Sequence, residues 1–228
     1  MEGEFPLVLR VFQIHEAEPG LLVDVPDRTM RFVLKVLICL LLAAGAGTAL
    51  LALRSGDSIY TLYEWVSPAR FQQHDELIRN VAAQHRVDPM LVKAVVWRES
   101  RFDARKMGTA GERGLMQVTE RAAGDWARET KVENFRVEEL FDPKTNLEAG
   151  TWYLARALQH WKNQNDPMPF ALAEYNAGAS RAQRWAGGDE AGSVPAATFQ
   201  NNIDFPGTRK YVESILARLE FYKRRGRM

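Results

Sequence analysis

The sequence predicts an all-α protein in which one membrane-spanning helix precedes a helical domain. Three observations support this class. An apolar run lies near the N-terminus, apolar residues recur at helical spacing from about residue 71 onward, and alternating strand patterns are almost absent. The 228 residues are 46% hydrophobic and 26% charged, as in ordinary globular proteins. This length allows one domain of roughly 150 residues and an appendage.

Charge and cysteine content exclude several classes of protein. The chain has 30 basic and 29 acidic side chains, without the basic excess that is typical of nucleic-acid binding. Cys39 is the only cysteine, so an intramolecular disulfide, a cysteine-rich zinc site and an iron–sulfur cluster are excluded. The four histidines, His15, His74, His85 and His160, show no metal-like pairing. We therefore expect no nucleic-acid partner and no metal.

Residues 32–53 form the apolar run, which only Lys35 interrupts. A helix of about 20 apolar residues spans the hydrocarbon core of a bilayer. Arg28 and Arg31 precede the run, so the excess of positive charge places its N-terminal side in the cytoplasm. We expect a signal-anchor over residues 31–54 that holds residues 55–228 on the other side of the membrane.

Two alternatives remain open for this N-terminal part. The small residues of AAGAGTA within the run would also suit the cleavage of a signal peptide, although apolar residues continue after them. Residues 1–30 are predicted to be a short segment that is cytoplasmic or disordered. A translation start at Met30 is a further hypothesis, because Met30 directly precedes the targeting segment.

The helical domain is predicted over residues 71–222, after a linker at 55–70 and before a basic tail at 223–228. N-capping residues mark where its helices begin, namely Asp88, Thr119, Asp142 and Asp166. About seven helices are predicted: between His74 and His85, from Pro89 to Ser100, from Thr119 to Trp126, from Pro143 to Trp161, up to a left-handed cap at Gly178, from Ser180 to Trp185, and after Asp204. Residues 187–207 are predicted to be mostly loop. Tryptophans at helical spacing are expected in the core: Trp97, Trp126, Trp152, Trp161 and Trp185.

Glu99 lies at the C-terminal end of an apolar helix, in the segment VVWRESRFD. The negative end of the helix dipole and the apolar neighbours both disfavour an ionised carboxyl group. A carboxyl group that stays protonated to higher pH is suited to general acid catalysis. A surface glutamate paired with Arg98 or Arg101 is the alternative that this segment alone favours.

Two further segments carry polar side chains next to glycines. In GERGLMQV (residues 111–118), Gln117 offers a donor and an acceptor beside a loop that lets a ligand approach the backbone. In LAEYNAG (residues 172–178), Tyr175 and Asn176 lie at a helix end. Each segment alone also fits a structural role, with Met116 in the core and Asn176 as a helix cap.

Taken in order, these motifs resemble the lytic transglycosylases that have a lysozyme-like catalytic domain of the soluble lytic transglycosylase (SLT) type. The resemblance covers residues 72–220 and rests on four motifs: Glu99-Ser100-x-Phe102, Gly114-Leu115-Met116-Gln117, Tyr175-Asn176-Ala177-Gly178 and Thr208-Arg209-x-Tyr211-Val212. It implies an all-α fold like that of goose-type lysozyme. It also implies that the substrate is the glycan strand of peptidoglycan and that the domain lies in the periplasm, anchored in a bacterial inner membrane. It does not identify a protein partner, and it implies no metal or organic cofactor, because proton transfer and ring closure need neither.

The resemblance also implies roles for individual residues. Glu99 would protonate the glycosidic oxygen between N-acetylmuramic acid and N-acetylglucosamine, and would then take the proton of the muramoyl C6 hydroxyl. That hydroxyl closes onto C1 and gives a 1,6-anhydro end, so that a second carboxylate is not needed. Substrate contacts are expected from Ser100, Met116, Gln117, Glu174, Tyr175 and Asn176, with Met116 packing under the groove and Tyr175 positioning Glu99 or the sugar.

The sequence departs from the family pattern at several positions. Many relatives have serine where Gly108 stands, a small residue where Glu174 stands, and an acidic residue where Gly207 stands. One hypothesis is that a second carboxylate has been relocated and that Glu174 lines the cleft. A solvent-facing Glu174 is the alternative.

Two other functions are carried as alternatives. A hydrolytic muramidase would use water, with Asp103 or Glu174 as its second carboxylate. A peptidoglycan-binding scaffold of an envelope machine would have lost turnover through the changes at Gly108 and Gly207. The combination of Glu99, Gln117 and Tyr175 disfavours the scaffold.

Overall fold

The computed structural model describes residues 27–53, 63–64, 66–188 and 193–226. Most of the predicted segment 1–30 and of the predicted linker 55–70 lies outside these residues, as do the last two residues of the predicted tail at 223–228.

The apolar run forms helix α1 (Asp27–Leu53). Its stretch Arg28–Leu50 has a mean hydropathy of 2.2, and none of it is buried in the protein. Leu41 and Leu42, for example, have 71% and 68% of their surfaces exposed. The helix is long and apolar enough to cross a membrane, and its length and composition fit a signal sequence as well as an anchor.

The rest of the described chain is also helical, which confirms the predicted class. Between residues 66 and 226, the described residues form only isolated β-bridges in place of strands. The helices are α2 (Pro68–Gln72), α3 (Asp75–His85), α4 (Pro89–Ser100), α5 (Glu120–Thr130), a 3-10 helix (Val137–Phe141), α6 (Pro143–His160), α7 (Met168–Ala177), α8 (Ala179–Trp185), α9 (Ala196–Asn202) and α10 (Pro206–Arg225).

The predicted caps explain where the main helices begin. Asp88 accepts a hydrogen bond from the Met90 amide at 2.8 Å, and Asp142 accepts one from the Thr145 amide at 2.9 Å. The Thr119 side chain accepts a hydrogen bond from the Ala122 amide at the start of α5. Each cap satisfies an amide that has no partner inside its helix, so these three starts are set by local sequence.

Three short helices escaped the sequence analysis, and one cap differs from the prediction. Helix α9 lies within the predicted loop 187–207, where burial of Phe199 against Phe170, with ring centroids 3.9 Å apart, outweighs weak local propensity. Helix α2 and the 3-10 helix were also missed. Gly178 has a positive φ of 88°, but its ψ of 157° is extended, so it is not a left-handed cap.

Helices α4, α7 and α10 form the centre of the core, and α6 covers α7. Trp97, Trp126, Trp161 and Trp185 are buried as predicted, while Trp152 is only partly buried. Arg218 of α10 stacks 3.9 Å from the Trp97 ring and pairs with Glu64 at 2.8 Å. Glu64 therefore belongs to the folded domain, although it lies in the predicted linker. These contacts hold α10 against the helix that carries Glu99.

Candidate active site

Glu99 lies in the last turn of α4, as the sequence predicts, and opens into a cleft of about 400 Å³. The helix ends directly after Ser100, because Arg101 takes a left-handed conformation with φ 54°. Gln117, Tyr175 and Asn176 line the same cleft. The structure therefore brings together residues from the first three sequence motifs in one cleft, and Tyr211 of the fourth motif contacts the Glu99 carboxyl group from α10.

The environment of Glu99 favours its protonated form. Burial raises the pKa of Glu99 from its ordinary value of 4.5 to about 7. A hydrogen bond from Tyr211 and the positive charges of Arg98 and Lys106 act against this rise, whereas the negative charge of Glu112 adds to it. Near neutral pH the carboxyl group can thus both give and accept a proton, as an acid–base catalyst must.

Tyr211 of α10 holds the Glu99 carboxyl group in place. Its hydroxyl donates a hydrogen bond to Glu99 Oε1 at 2.7 Å, and its side chain is otherwise buried. Burial and the neighbouring Glu99 raise the pKa of Tyr211 well above its usual range, so the hydroxyl stays a donor. Tyr211 belongs to the fourth sequence motif, but Tyr175 was the tyrosine expected to position either Glu99 or the sugar.

We predict that Tyr211→Phe shifts the pH dependence of activity upward. The hydrogen bond stabilises the ionised carboxylate, so its loss raises the pKa of Glu99 further. The alkaline limb of the pH–rate profile should therefore move to higher pH. Activity at pH 6 should fall only several-fold, which corresponds roughly to the free energy of one hydrogen bond. A pH–rate profile on purified cell-wall sacculi measures this, and a downward shift would contradict it.

The loop before α5 presents Gln117 to the cleft. Gln117 Nε2 donates to the backbone oxygens of Lys106 and Gly114 at 3.1 and 2.9 Å, which fixes the side-chain amide. Gly114 has a φ of 76°, and a Cβ there would overlap the Leu140 carbonyl oxygen. Only glycine fits this approach of the loop to the neighbouring backbone.

Asn146 of α6 is the buried anchor of this loop. Its Oδ1 accepts from the Met116 amide at 2.7 Å. Its Nδ2 donates to the carbonyl oxygens of Arg113 and Leu140 at 2.7 and 2.8 Å. Three backbone groups of the loop region thus depend on one side chain that has no exposed surface. The sequence analysis did not single out Asn146.

The Tyr175-Asn176 motif at the end of α7 supports the cleft wall. The Tyr175 hydroxyl donates to the Met116 carbonyl oxygen at 2.9 Å and so holds the Gln117 loop rather than Glu99. Asn176 is exposed and accepts from the buried Thr208 hydroxyl at 2.8 Å. Thr208 of the fourth motif therefore fixes the third motif, and Tyr211 of the fourth motif fixes the first.

Four residues that were considered for the site do not line the cleft around Glu99, and two of them, Met116 and Asp103, take the structural roles that the sequence favoured. Met116 is fully buried and packs beneath the cleft, so its side chain cannot contact a sugar directly. The Ser100 hydroxyl donates to the Val96 carbonyl oxygen and points away from the cleft around Glu99. Asp103 is exposed and accepts from the Arg105 amide, which is the turn-capping role.

Glu174 is the fourth residue that does not line the cleft. Its carboxylate lies 2.6 Å from His160 Nδ1 and accepts from the Trp161 indole at 2.7 Å, with 9% of the residue exposed. It joins α7 to the end of α6 and does not line the cleft around Glu99. The hypothesis that Glu174 is a relocated second carboxylate is therefore wrong, and so is the solvent-facing alternative.

Two charged residues that the sequence analysis missed do line the cleft. Lys106 donates from Nζ to the Glu99 backbone oxygen, and burial lowers the pKa of Lys106. Glu112 places a second carboxylate beside the site, where its Oε2 accepts from the Ala110 amide at 3.0 Å. Neither residue carries a recognisable signal in a single sequence beyond its place in the glycine-rich loop. Among the described residues, no group of three or more His, Cys, Asp or Glu could hold a metal ion.

Comparison with known proteins gives the family. The family model for the transglycosylase SLT domain matches residues 76–194, which is more than half of the chain. The chain belongs to the transglycosylase SLT family. The predicted fold class, a lysozyme-like domain of the SLT type after an N-terminal apolar helix, is thereby confirmed.

Among curated proteins, two relatives illustrate the range of this SLT family. The soluble lytic murein transglycosylase of Escherichia coli is 28% identical over 151 residues, which are 66% of this chain and 23% of the relative. The membrane-bound lytic murein transglycosylase F of Desulfosudis oleivorans is 34% identical over 112 residues, which are 48% of this chain and 23% of the relative. This SLT protein thus spans about a quarter of the length of these relatives.

Solved structures share the fold. The 70 kDa soluble lytic transglycosylase from Escherichia coli matches with a TM-score of 0.60 and 28% identity, over 66% of this chain and 24% of that one. The complex of the 70 kDa soluble lytic transglycosylase with bulgecin A matches with a TM-score of 0.64 and 26% identity, over 73% and 26% of the two chains. An inactive mutant of Slt from Pseudomonas aeruginosa, 21% identical over 68% of this chain and 25% of that one, shows the same fold with a TM-score of 0.61.

Proposed function

We propose that the protein is a peptidoglycan lytic transglycosylase that cleaves the β-1,4 bond between N-acetylmuramic acid and N-acetylglucosamine without water. The observation that carries this proposal is the partly buried Glu99 carboxyl group, with a pKa of about 7, in the wall of a cleft large enough for a sugar. Membership of the SLT family and relatives named lytic murein transglycosylases support it.

The chemistry follows from one carboxyl group that works twice. Protonated Glu99 gives its proton to the glycosidic oxygen as the bond from C1 to that oxygen breaks. The resulting carboxylate, stabilised by the Tyr211 hydroxyl, takes the proton of the muramoyl C6 hydroxyl. The C6 oxygen bonds to C1 and forms the 1,6-anhydro ring, which leaves Glu99 protonated again. Gln117 and Asn176 are placed to hold the sugar by hydrogen bonds.

A hydrolytic muramidase is the second candidate, because one observation favours it. Glycosidases that use water need two carboxylates flanking the bond, and Glu112 lines the cleft together with Glu99. The residues first considered for this role, Asp103 and Glu174, lie elsewhere. Product chemistry separates the candidates, since a muramidase leaves reducing ends and a lytic transglycosylase leaves anhydro ends.

The test is mass spectrometry of the material released from purified sacculi by the full chain. We expect 1,6-anhydromuramoyl ends and no net uptake of water. Reducing muramic acid ends would establish the muramidase instead. The absence of any release, by a folded protein that still binds sacculi, would favour the non-catalytic scaffold.

We also propose that α1 anchors the protein as a single span in the bacterial inner membrane, with the catalytic domain in the periplasm. The length of α1, the basic residues Arg28 and Arg31 before it, and the substrate support this placement. A C-terminal fusion to alkaline phosphatase should be active in the membrane fraction. An inactive fusion would contradict the orientation, and an active fusion in the soluble fraction would indicate a cleaved signal.

A further inference from the structure

We propose that Glu112 is a second active-site carboxylate that contacts the bound sugar, and that the glycine at position 108 is what gives this carboxylate its place in the cleft. This inference rests on the proposed function and adds a residue to the same site. It differs from the muramidase hypothesis, because Glu112 binds the sugar and supplies negative charge to the cleft but does not activate a water molecule.

The first supporting observation is the close approach of Glu112 to Gly108. A Cβ atom at position 108 would overlap Glu112 Oε2 and would lie 3.0 Å from Gln117 Oε1. The Cβ atom alone produces this overlap, so every residue other than glycine at position 108 would have it. Any side chain there would compete with the Glu112 carboxylate for the same space.

The second observation is that the Glu112 carboxylate is held in this place by its own loop. The Ala110 amide donates to Oε2 at 3.0 Å, and the Gly108 amide donates to the Glu112 carbonyl oxygen at 2.7 Å. These two bonds close the turn 108–112 and direct the carboxylate to the cleft wall. Gln117 Oε1 lies beside it, so two acceptor groups face the same part of the cleft.

The chemistry of the pair identifies the kind of ligand group. A carboxylate and an amide oxygen side by side accept hydrogen bonds, so they fit sugar hydroxyls or the N–H of an acetamide group. Negative charge next to the reacting carbon also favours the positive charge that develops on the sugar in an oxocarbenium-like transition state.

The third observation is the effect of neighbouring charges on the pKa of Glu99. The Tyr211 hydroxyl and the charges of Arg98, Lys106 and Glu112 act on the pKa of its carboxyl group, and the Tyr175 side chain lines the same cleft. Among the charged ones, Glu112 alone raises the pKa of Glu99, because two like charges in one cleft repel each other. Removal of this charge should therefore make Glu99 lose its proton at lower pH.

The test uses Glu112→Gln in the full chain, since an amide keeps the size of the carboxylate. On peptidoglycan strands, kcat/KM should fall roughly tenfold, as for one charged hydrogen bond to a ligand. The alkaline limb of the pH–rate profile should move to lower pH. Glu133→Gln, the same change at an exposed site away from the cleft, should alter neither quantity. An unchanged rate and an unchanged profile for Glu112→Gln would overturn the proposal.

A double-mutant cycle tests the link to position 108. Gly108→Ser and Glu112→Ala should each lower kcat/KM roughly tenfold, and the double variant should be no worse than either, because both remove the carboxylate from the same place. A hundredfold loss in the double variant would show that the two positions act independently. The Glu112→Gln result stands even if Gly108→Ser fails to fold.

Failure of this inference is distinguishable from failure of the proposed function. The products of the wild-type chain decide the function, because anhydro ends mark a lytic transglycosylase whatever Glu112 does. Reducing ends that disappear in Glu112→Gln would instead assign Glu112 to the activation of water, and would overturn both proposals together.

Discussion

Glu99→Gln should lower the release of anhydro products from sacculi at least about a thousandfold, which is the range for the loss of a general acid. A glutamine amide has the shape of the carboxyl group and keeps a partner for the Tyr211 hydroxyl, but it neither donates nor accepts the transferred proton. Because Glu99 serves first as acid and then as base, no step of the proposed reaction survives. Mass spectrometry of the digest measures the loss.

The same variant should be more stable than the wild type at alkaline pH, which rules out unfolding as the cause of its inactivity. The pKa of Glu99 is about 7 in the folded chain and 4.5 ordinarily, so the folded state holds this proton more tightly. The stability of the wild type therefore falls as pH rises from about 4.5 to 7. This difference corresponds to about 3 kcal/mol at pH 8. Thermal unfolding at pH 4 and pH 8 should show a gain for Glu99→Gln only at pH 8, and equal values at both would contradict the burial of Glu99.

Asn146→Ala should destabilise the domain by about 3 kcal/mol or more. The truncation leaves the Met116 amide and the carbonyl oxygens of Arg113 and Leu140 without their buried partner, and each such loss costs about 1 kcal/mol or more. Activity should fall as well, because the same loop carries Gln117. Urea unfolding of the full chain in detergent, followed by tryptophan fluorescence, measures the stability.

Asn163→Ala provides the matched control for this effect. Asn163 is exposed in the turn after α6, so the same truncation removes no buried hydrogen bond. Its unfolding midpoint should equal that of the wild type. If Asn146→Ala also left the midpoint unchanged, the loop before α5 would have to be held by contacts other than the three described.

The sequence predicted what depends on short-range rules. The caps at Asp88, Thr119 and Asp142 act within three residues, so the starts of three helices follow from local sequence. The apolar pattern of α4 also ends where the helix ends, with Glu99 in its last turn. Helix α9 was missed because its stability depends on Phe199 packing against Phe170, 29 residues away, which no local pattern displays.

The sequence predicted several of the residues that line the cleft, but not how they contact one another. Family motifs selected Glu99, Gln117, Tyr175 and Asn176, all of which line one cleft. Which tyrosine meets Glu99 depends on how α10 packs on α4, so Tyr211 took the role expected of Tyr175. Burial of Glu174 against His160 and Trp161 also depends on tertiary packing. The hypothesis of a relocated second carboxylate named Glu174, whereas the carboxylate that lines the cleft with Glu99 is Glu112.

The central claim is that the Glu99 carboxyl group retains its proton near neutral pH. Its pKa can be measured in the full chain by the carboxyl carbon shift of ¹³C-labelled glutamate over a pH titration, with the signal assigned by its loss in Glu99→Gln. We expect a midpoint of about 7. A midpoint near 4.5, the ordinary value for glutamate, would show an ionised side chain at neutral pH and would contradict its role as the acid.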